Sequence, residues 1–332
     1  MGHKSVTVVI VNWNGGSFLA DCLAHVRRQS VQPQRIIVVD NGSTDGSVDC
    51  AAQFPGVEFR LLGKNVGFAV ANNRAVAEAD TEFVALLNPD ANPEPHWLER
   101  LLAAAQENPE VVAFGSRQMM RATPATIDGL GDVYHVSGLT WRRGFGRQLD
   151  GGDLESRDVF SACGAAVLYR REEFLRIGGF DEGYFCYCED VDLGFRLLLA
   201  GKRCRYVADA VVEHRGASCS GGHRSAFSVY YGHRNLVWTF VKDVPAPLFW
   251  LLLPLHIAQN LAIVACFVLR GQGRTILQSK WDAIRGIPDA WRKRQQVQAG
   301  RAVSLAKVWA AMDRRVIPRD RLRIRKALKL SA

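Results

Sequence analysis

Five short apolar runs, most of them rich in β-branched residues, recur through the first 115 positions, and each of the first four leads through a polar turn into a stretch with helical spacing. They are Val6–Val11, Arg35–Val39, Val57–Leu62, Glu82–Leu87 and Val111–Gly115. The intervening segments Ser17–Gln29, Ser47–Phe54, Phe68–Glu78 and Pro95–Glu107 have helical length, with Ser17 and Ser47 placed as N-caps and Pro95 in a first turn. This alternation predicts a doubly wound α/β domain, and the near-continuous apolar runs predict strands buried on both faces. Residues 117–160 are rich in Gly and Arg with weak periodicity, and are expected to form an irregular excursion carrying loops over a cleft. Helices are expected again at Glu172–Ile177 and Val191–Ala200, and short extended pieces at Cys204–Val207 and Ala210–Val212.

The carboxyl ends of strands are where open α/β sheets bind ligands. The first run ends in Asn12-Trp13-Asn14-Gly15-Gly16, the second in Asp40-Asn41-Gly42-Ser43-Thr44-Asp45-Gly46-Ser47, and the fourth in Asn88-Pro89-Asp90-Ala91-Asn92. Asp40 either accepts from a base imide or a ribose hydroxyl, or joins Asp45 in closing a turn and capping a helix. Asp90 offers the hard oxygen that Mg²⁺ or Mn²⁺ prefers. His214 adds a second ligand if the fold returns it to the cleft, and is otherwise a structural histidine. The densest acidic cluster, Glu189-Asp190-Val191-Asp192, opens a helix behind the aromatic stretch Tyr184-Phe185-Cys186-Tyr187. Acids at a helix start are accounted for by the dipole, with Asp192 and Arg196 as an i,i+4 pair; beside aromatic residues they also suit a general base.

Other chemistries lack their motifs. Gly271-Gln272-Gly273 has neither a third glycine nor a preceding strand, no phosphate-loop G-x-x-x-x-G-K-[ST] occurs, and Gly216-Ala217-Ser218-Cys219-Ser220 misses the last position of G-x-S-x-G. A nucleotidyltransferase would want a basic phosphate loop near the N-terminus, and Val11–Gly16 carries no Lys or Arg.

Charge is unevenly placed. Residues 270–332 hold 17 Lys and Arg against 4 Asp and Glu, while residues 1–269 carry a net −4. A basic tail fits an anionic partner. Its Trp281, Trp291 and Trp309 are too sparse for base stacking and are spaced for an interface, so anionic lipid of an inner leaflet is expected and nucleic acid is not. Leu248–Leu269 is free of Asp, Glu, Lys and Arg, but Pro254, His256, Gln259 and Asn260 interrupt it, which predicts two short apolar pieces in a shallow or re-entrant hairpin. Trp281, Ile284, Ile287 and Trp291 follow at helical spacing beside Arg285, Arg292, Lys293 and Arg294. The eight cysteines form no C-x-x-C pair and no secretion signal is evident, so the cytoplasmic face of the inner membrane is the expected location, with peripheral or monotopic attachment.

From Val6 to about Asn235 the chain resembles the family 2 glycosyltransferases of GT-A fold, in particular bacterial rhamnosyltransferase-like enzymes. The likeness rests on the order of V-x-I-V-N-W-N-G, V-V-D-N-G-S-T-D-G-S, Asn65-Val66-Gly67-Phe68-Ala69, L-L-N-P-D, Ser161-Ala162-Cys163-Gly164-Ala165, Gly178-Gly179-Phe180-Asp181-Glu182 and E-D-V-D-L-G-F-R. It implies a Rossmann-like mixed sheet flanked by helices, a catalytic domain over 1–240, and a membrane-associating helical region over 241–332. Position by position, it implies that Asp40 reads the base, Asn12 and Asn65 line the donor pocket, and Asp90 binds the metal with help from His214. Asp190 would be the base, with Glu189 as its neighbour or alternative, and Arg196 would orient the acid cluster. Cys163 and Gly164 would lie against a sugar, and Arg224 and Arg234 could contact a diphosphate. Asn88 replaces the first acid of the family's usual D-x-D. The implied reaction is inverting transfer from a dTDP-, UDP- or GDP-linked sugar, L-rhamnose among the candidates, to a polyprenyl-diphosphate-linked saccharide. The alternative is a membrane-anchored sugar-nucleotide-binding protein without catalysis.

Overall fold

The computed structural model describes residues 5–216 and 225–315. Val6–Asn12 (β1) shows how the sheet is built. Val6, Val8 and Ile10 pack on one face with the helices Phe18–Arg27 (α1) and Trp97–Glu107 (α3), while Val9 and Val11 pack on the other with Phe68–Glu78 (α2). All seven residues of β1 are buried. Each such Val or Ile side chain contributes on the order of 1.5–3 kcal/mol, which is why a run apolar on both faces settles in the middle of a sheet.

Ten strands form one mixed sheet. Arg35–Asp40 (β2), Glu58–Leu61 (β3) and Phe83–Leu87 (β4) extend β1 in parallel pairings, as the alternating pattern predicts. Ala91–Pro93 (β5) leaves β4 through a tight turn, and Val111–Met120 (β6) runs five residues past its expected end. The stretch 117–160 is more ordered than expected: it carries Ile127–Gly129 (β7), the hairpin Asp132–Tyr134 (β8) with Thr140–Arg142 (β9), and Arg157–Val159 (β10). Ala166–Arg170 (β11) inserts antiparallel between β4 and β6. The two extended pieces expected at 204–207 and 210–212 are one strand, Arg203–His214 (β12), with a register irregularity between Val207 and Val211. The helical stretch expected at Ser47–Phe54 is a 3₁₀ segment, Ser47–Gln53, and the Ser17 hydroxyl makes no capping bond at the start of α1.

After Arg171–Arg176 (α4) and Glu189–Leu199 (α5), the chain adds Ala226–Asp243 (α6), which runs across the expected boundary at 240. Ala246–Val268 (α7) is one continuous helix rather than two pieces. Its polar residues turn inward instead of breaking it: the Nδ1–H of His256 donates to the carbonyl of Ser137 at 2.8 Å, the ring stacks on Phe240 at 4.0 Å, and the Asn260 amide donates to Nε2. Gly138 permits this approach, since a Cβ there would lie 2.5 Å from the imidazole. The apolar side faces outward, with Trp250 62%, Leu251 66%, Leu261 65% and Leu269 87% exposed. Gly273–Arg285 (α8), Ile287–Ala299 (α9) and Leu305–Ala311 (α10) pack back onto α5 and α6. Trp281 and Ile284 stay exposed, whereas Arg294 is buried and donates to the carbonyls of Val241 and Val244.

Candidate active site

A cleft of about 490 Å³ opens at the carboxyl ends of β1 and β4, walled by α5 and α6. On the β1–β2 side, Asn12 and Asp40 are partners in register at the last rung. Asn12 is fully buried, and its Nδ2 donates to Asp40 Oδ1 at 3.0 Å, to Ser43 Oγ at 3.1 Å and to Ser47 Oγ at 2.8 Å. Asp40 Oδ2 accepts from the Ser43 amide at 3.1 Å, so both carboxylate oxygens organise the turn. Neither side chain is on the cleft wall; Asn41 and Asn65 are. Asn41 donates to Asn65 Oδ1 at 2.9 Å and accepts from the Val66 amide, an interlock that fixes the second half of this wall.

On the β4 side, strand pairing explains how a histidine 124 positions away reaches Asp90. β5 pairs antiparallel with β12, placing His214 opposite Ala91. His214 Nε2 lies 3.3 Å from Asp90 Oδ1, and Nδ1 lies 2.7 Å from Asp128 Oδ2 on β7. Arg142 also pairs with Asp128. Despite its burial, His214 has its pKa raised to about 9, because Asp128 and Asp90 favour the cation. Nε2 has no hydrogen bond of acceptable geometry and points at Asp90, while Nδ1 is held by a carboxylate from behind. That arrangement, a histidine oriented by an outer carboxylate with its other nitrogen presented beside a second oxygen donor, fits a divalent ion. The described residues contain no group of three or more His, Cys, Asp or Glu able to hold one by themselves, so waters or a diphosphate would complete the shell.

Deeper in the cleft, the loop before α5 meets Cys163-Gly164-Ala165. The Gly164 amide donates to Asp190 Oδ2 at 2.9 Å, and the Val191 amide to Oδ1 at 2.8 Å. Asp132 of β8 joins this group; burial first and Asp190 second push it up to about 8, and it accepts from Ser161 Oγ at 2.9 Å. Glu189 is buried, and burial with the neighbouring Asp190 holds its carboxyl well above the usual range. Both are thereby biased toward the neutral form, which disfavours them as the base, and Asp190, with both carboxylate oxygens held by backbone amides, is the candidate. The buried Cys163 thiol is pushed up to about 12, so it contacts the cleft as a neutral group. The rim is aromatic: Trp13 stacks with Phe227 at 6.0 Å, and Phe227 and Phe185 pack on Tyr231 at 4.8 and 4.9 Å.

Of the expected basic residues, Arg196 engages the acid cluster as expected and Arg234 sits elsewhere. Arg196 points away from the cleft, pairing with Asp192 at 2.8 Å and donating to the carbonyls of Ile177 and Gly179. Arg234 lies over Trp238 and donates to the carbonyls of Gly183 and Tyr184. Arg224 lies outside the described residues. Residues that sequence reasoning missed are Asp128, Asp132 and Asn41. The first two lie in the stretch read as irregular, and the short Asp-containing pieces around Gly129 and Gly131 were the available signal.

The family model for glycosyl transferase family 2 matches residues 7–178. The N-acetylglucosaminyl-diphospho-decaprenol L-rhamnosyltransferase of Mycobacterium tuberculosis is 32% identical over 278 residues, covering 74% of this chain and 88% of that protein. The O-antigen chain rhamnosyltransferase RfbN of Salmonella typhimurium is 26% identical, covering 63% and 66%. Among solved structures, S. aureus TarS superposes with a TM-score of 0.56 at 15% identity, covering 91% of this chain and 54% of its own. GalNAc-T7, solved with UDP, GalNAc and Mn²⁺, gives 0.53 at 17%, covering 64% and 43%. The chain thus spans about half the length of these two structures, and the likeness is one of fold.

Proposed function

The chain belongs to glycosyl transferase family 2, and from that premise we propose that it moves L-rhamnose from a nucleotide sugar to a polyprenyl-diphosphate-linked saccharide, with inversion, in cell-surface polysaccharide assembly. The observation that carries this reading is the Asp190 carboxylate, held by the Gly164 and Val191 amides in the same cleft as Asp90 and His214.

Asp190 accepts the proton of an acceptor hydroxyl; the hydroxyl oxygen attacks the anomeric carbon as the bond to the diphosphate oxygen breaks on the opposite face. Gly164 keeps the carboxylate oriented, so little reorganisation is needed at the moment of attack. Asp90 and His214 would hold Mg²⁺ or Mn²⁺, which supplies charge neutralisation for the departing diphosphate. The Asn41–Asn65 interlock and the aromatic rim bind and enclose the donor. Asn12 and Asp40 act from beneath by fixing the turn that carries Asn41.

Membrane association follows from α7. By length and composition it is able to cross a bilayer, yet one side is committed to the protein through His256, Leu248 and Leu252. A helix with one face packed and the other apolar and exposed lies along the interface, with the basic residues of α8 and α9 at the headgroups. The proposed attachment is peripheral or monotopic at the cytoplasmic leaflet, where anionic lipid would meet the basic residues of α8 and α9.

The test is nucleoside diphosphate release from dTDP-, UDP- and GDP-sugars with lipid extract as acceptor, in Mg²⁺ and in EDTA. Release from dTDP-L-rhamnose that needs both metal and lipid is the expected result. Nucleotide binding without transfer from any donor would instead favour the non-catalytic reading.

A further inference from the structure

The loop that delivers the acid cluster is held in an unfavourable shape. Phe185, Tyr187 and Cys188 have φ of 66°, 68° and 67°, the left-handed region that glycine adopts freely and side-chain-bearing residues avoid. These residues line the cleft, and Cys188 immediately precedes Glu189 and Asp190. Something must over-determine the conformation for it to persist.

Opposite the loop stands Asn235 of α6, fully buried. Its Nδ2 lies 2.9 Å from the Tyr184 carbonyl, 2.9 Å from that of Cys186 and 2.7 Å from that of Tyr187. Three carbonyls converging on one side-chain atom fix the amide orientation, since the reversed rotamer would set Oδ1 against three oxygens. Oδ1 in turn accepts from Arg234 Nε at 3.0 Å, and the Arg234 guanidinium donates to the carbonyls of Gly183 and Tyr184. The Arg234-Asn235 pair therefore engages four of the five successive carbonyls from Gly183 to Tyr187. The donor wall depends on the same shape: the Ala69 amide donates to the Phe185 carbonyl, and Gly67 is tolerated there because a Cβ would lie 2.7 Å from Phe185.

We propose that Asn235 is a positioning residue for glycosyl transfer, clamping the left-handed Phe185–Cys188 loop so that Asp190 is presented to the acceptor hydroxyl. The inference rests on Asp190 being the base. It assigns a role to the Arg234-Asn235 pair that neither donor binding nor metal binding uses.

The test compares wild type, Asn235→Ala, and Asn235→Ala combined with Cys188→Gly, each measured as kcat and donor KM per mole of folded enzyme. Loosening the clamp should lower kcat by on the order of 100-fold while donor KM changes little, because misplacement by about an ångström is enough for such a loss. Glycine at 188 removes part of the conformational penalty, so the double variant should regain at least about tenfold of the lost kcat. A fall in folded yield with kcat per folded molecule unchanged would overturn the proposal, as would a kcat loss that Cys188→Gly fails to relieve. If Asn235→Ala does not fold, Asn235→Ser, which keeps one donor, takes its place with the same criteria. A wild type inactive on every donor would defeat the reading of the reaction, whereas an active wild type matched by Asn235→Ala would defeat the clamp alone.

Discussion

Gly164 and Asp190 come from segments 26 residues apart, and the amide of the first donates to the carboxylate of the second at 2.9 Å. This contact ties the turn before β11 to the first turn of α5, and it holds in place the carboxylate proposed as the base. Burial and the neighbouring Asp190 hold the carboxyls of Glu189 and Asp132 above the usual carboxylate range.

Glu189→Gln should leave kcat within about threefold of wild type, because Asp190 is the proposed base and the neutral amide keeps the shape of a carboxyl that burial biases toward its neutral form. The stability of wild type carries a second signature. A buried acid whose folded pKa lies above its unfolded value stabilises the fold below the unfolded pKa, near 4.5, and that contribution is lost as pH rises toward the folded value. The wild type should lose melting temperature relative to the Gln variant as pH rises above about 4.5.

Asp128 does not face Asp90 directly, yet it fixes His214 from behind. Asp128→Asn should raise the Mg²⁺ or Mn²⁺ concentration needed for half-maximal nucleotide binding by about 10- to 100-fold. Calorimetric titration of metal in the presence of nucleoside diphosphate checks this without measuring turnover. Unchanged metal dependence would remove His214 from the metal site.

Most of the sheet was legible because β1, β2 and β4 are apolar on both faces, a pattern few other environments accept. The strand-end motifs were equally legible. What the sequence hid was contact across long separations: His214 meets Asp90 and Asp128 only through the β5–β12 and β6–β7 pairings. The left-handed Phe185–Cys188 loop was hidden for another reason, since it contains no glycine and is held by α6 some 50 residues on. α7 is unbroken because His256 finds its partner in Ser137 beneath the helix and Asn260 bonds back to His256, contacts that a count of polar residues along the sequence does not show.

The C-terminal helices reach the acid-bearing helix through a buried chain of charge. Lys293 of α9 pairs with Asp181 at 2.6 Å, Asp181 with Lys242 of α6 at 2.6 Å, and Lys242 with Asp192 of α5. Asp243 is buried beside them with its carboxyl held well above the usual range by burial and by Asp192. Lys242→Met should destabilise the protein near the low end of the ~3–5 kcal/mol typical of breaking a buried pair, because Arg196 and Lys293 still serve the two carboxylates. Urea unfolding provides the measurement; a change below about 1 kcal/mol would mean that Lys242 is dispensable to the network.

On the proposed reading, the outward face of α7 is the membrane contact. Leu251→Glu with Leu261→Glu changes two exposed positions that touch little of the protein, and should move the chain from vesicle-bound to free in flotation with anionic liposomes while leaving its melting temperature within a few degrees. Retained flotation would shift the contact to the basic helices alone.

The assignment of the base is tested most directly by Asp190→Asn, assayed in parallel for nucleotide binding and for sugar transfer. Asparagine can still accept from the Gly164 amide, so binding should stay within about threefold while transfer falls by about 100- to 10,000-fold. Transfer above about a tenth of the wild-type rate would contradict the assignment of Asp190 as the base.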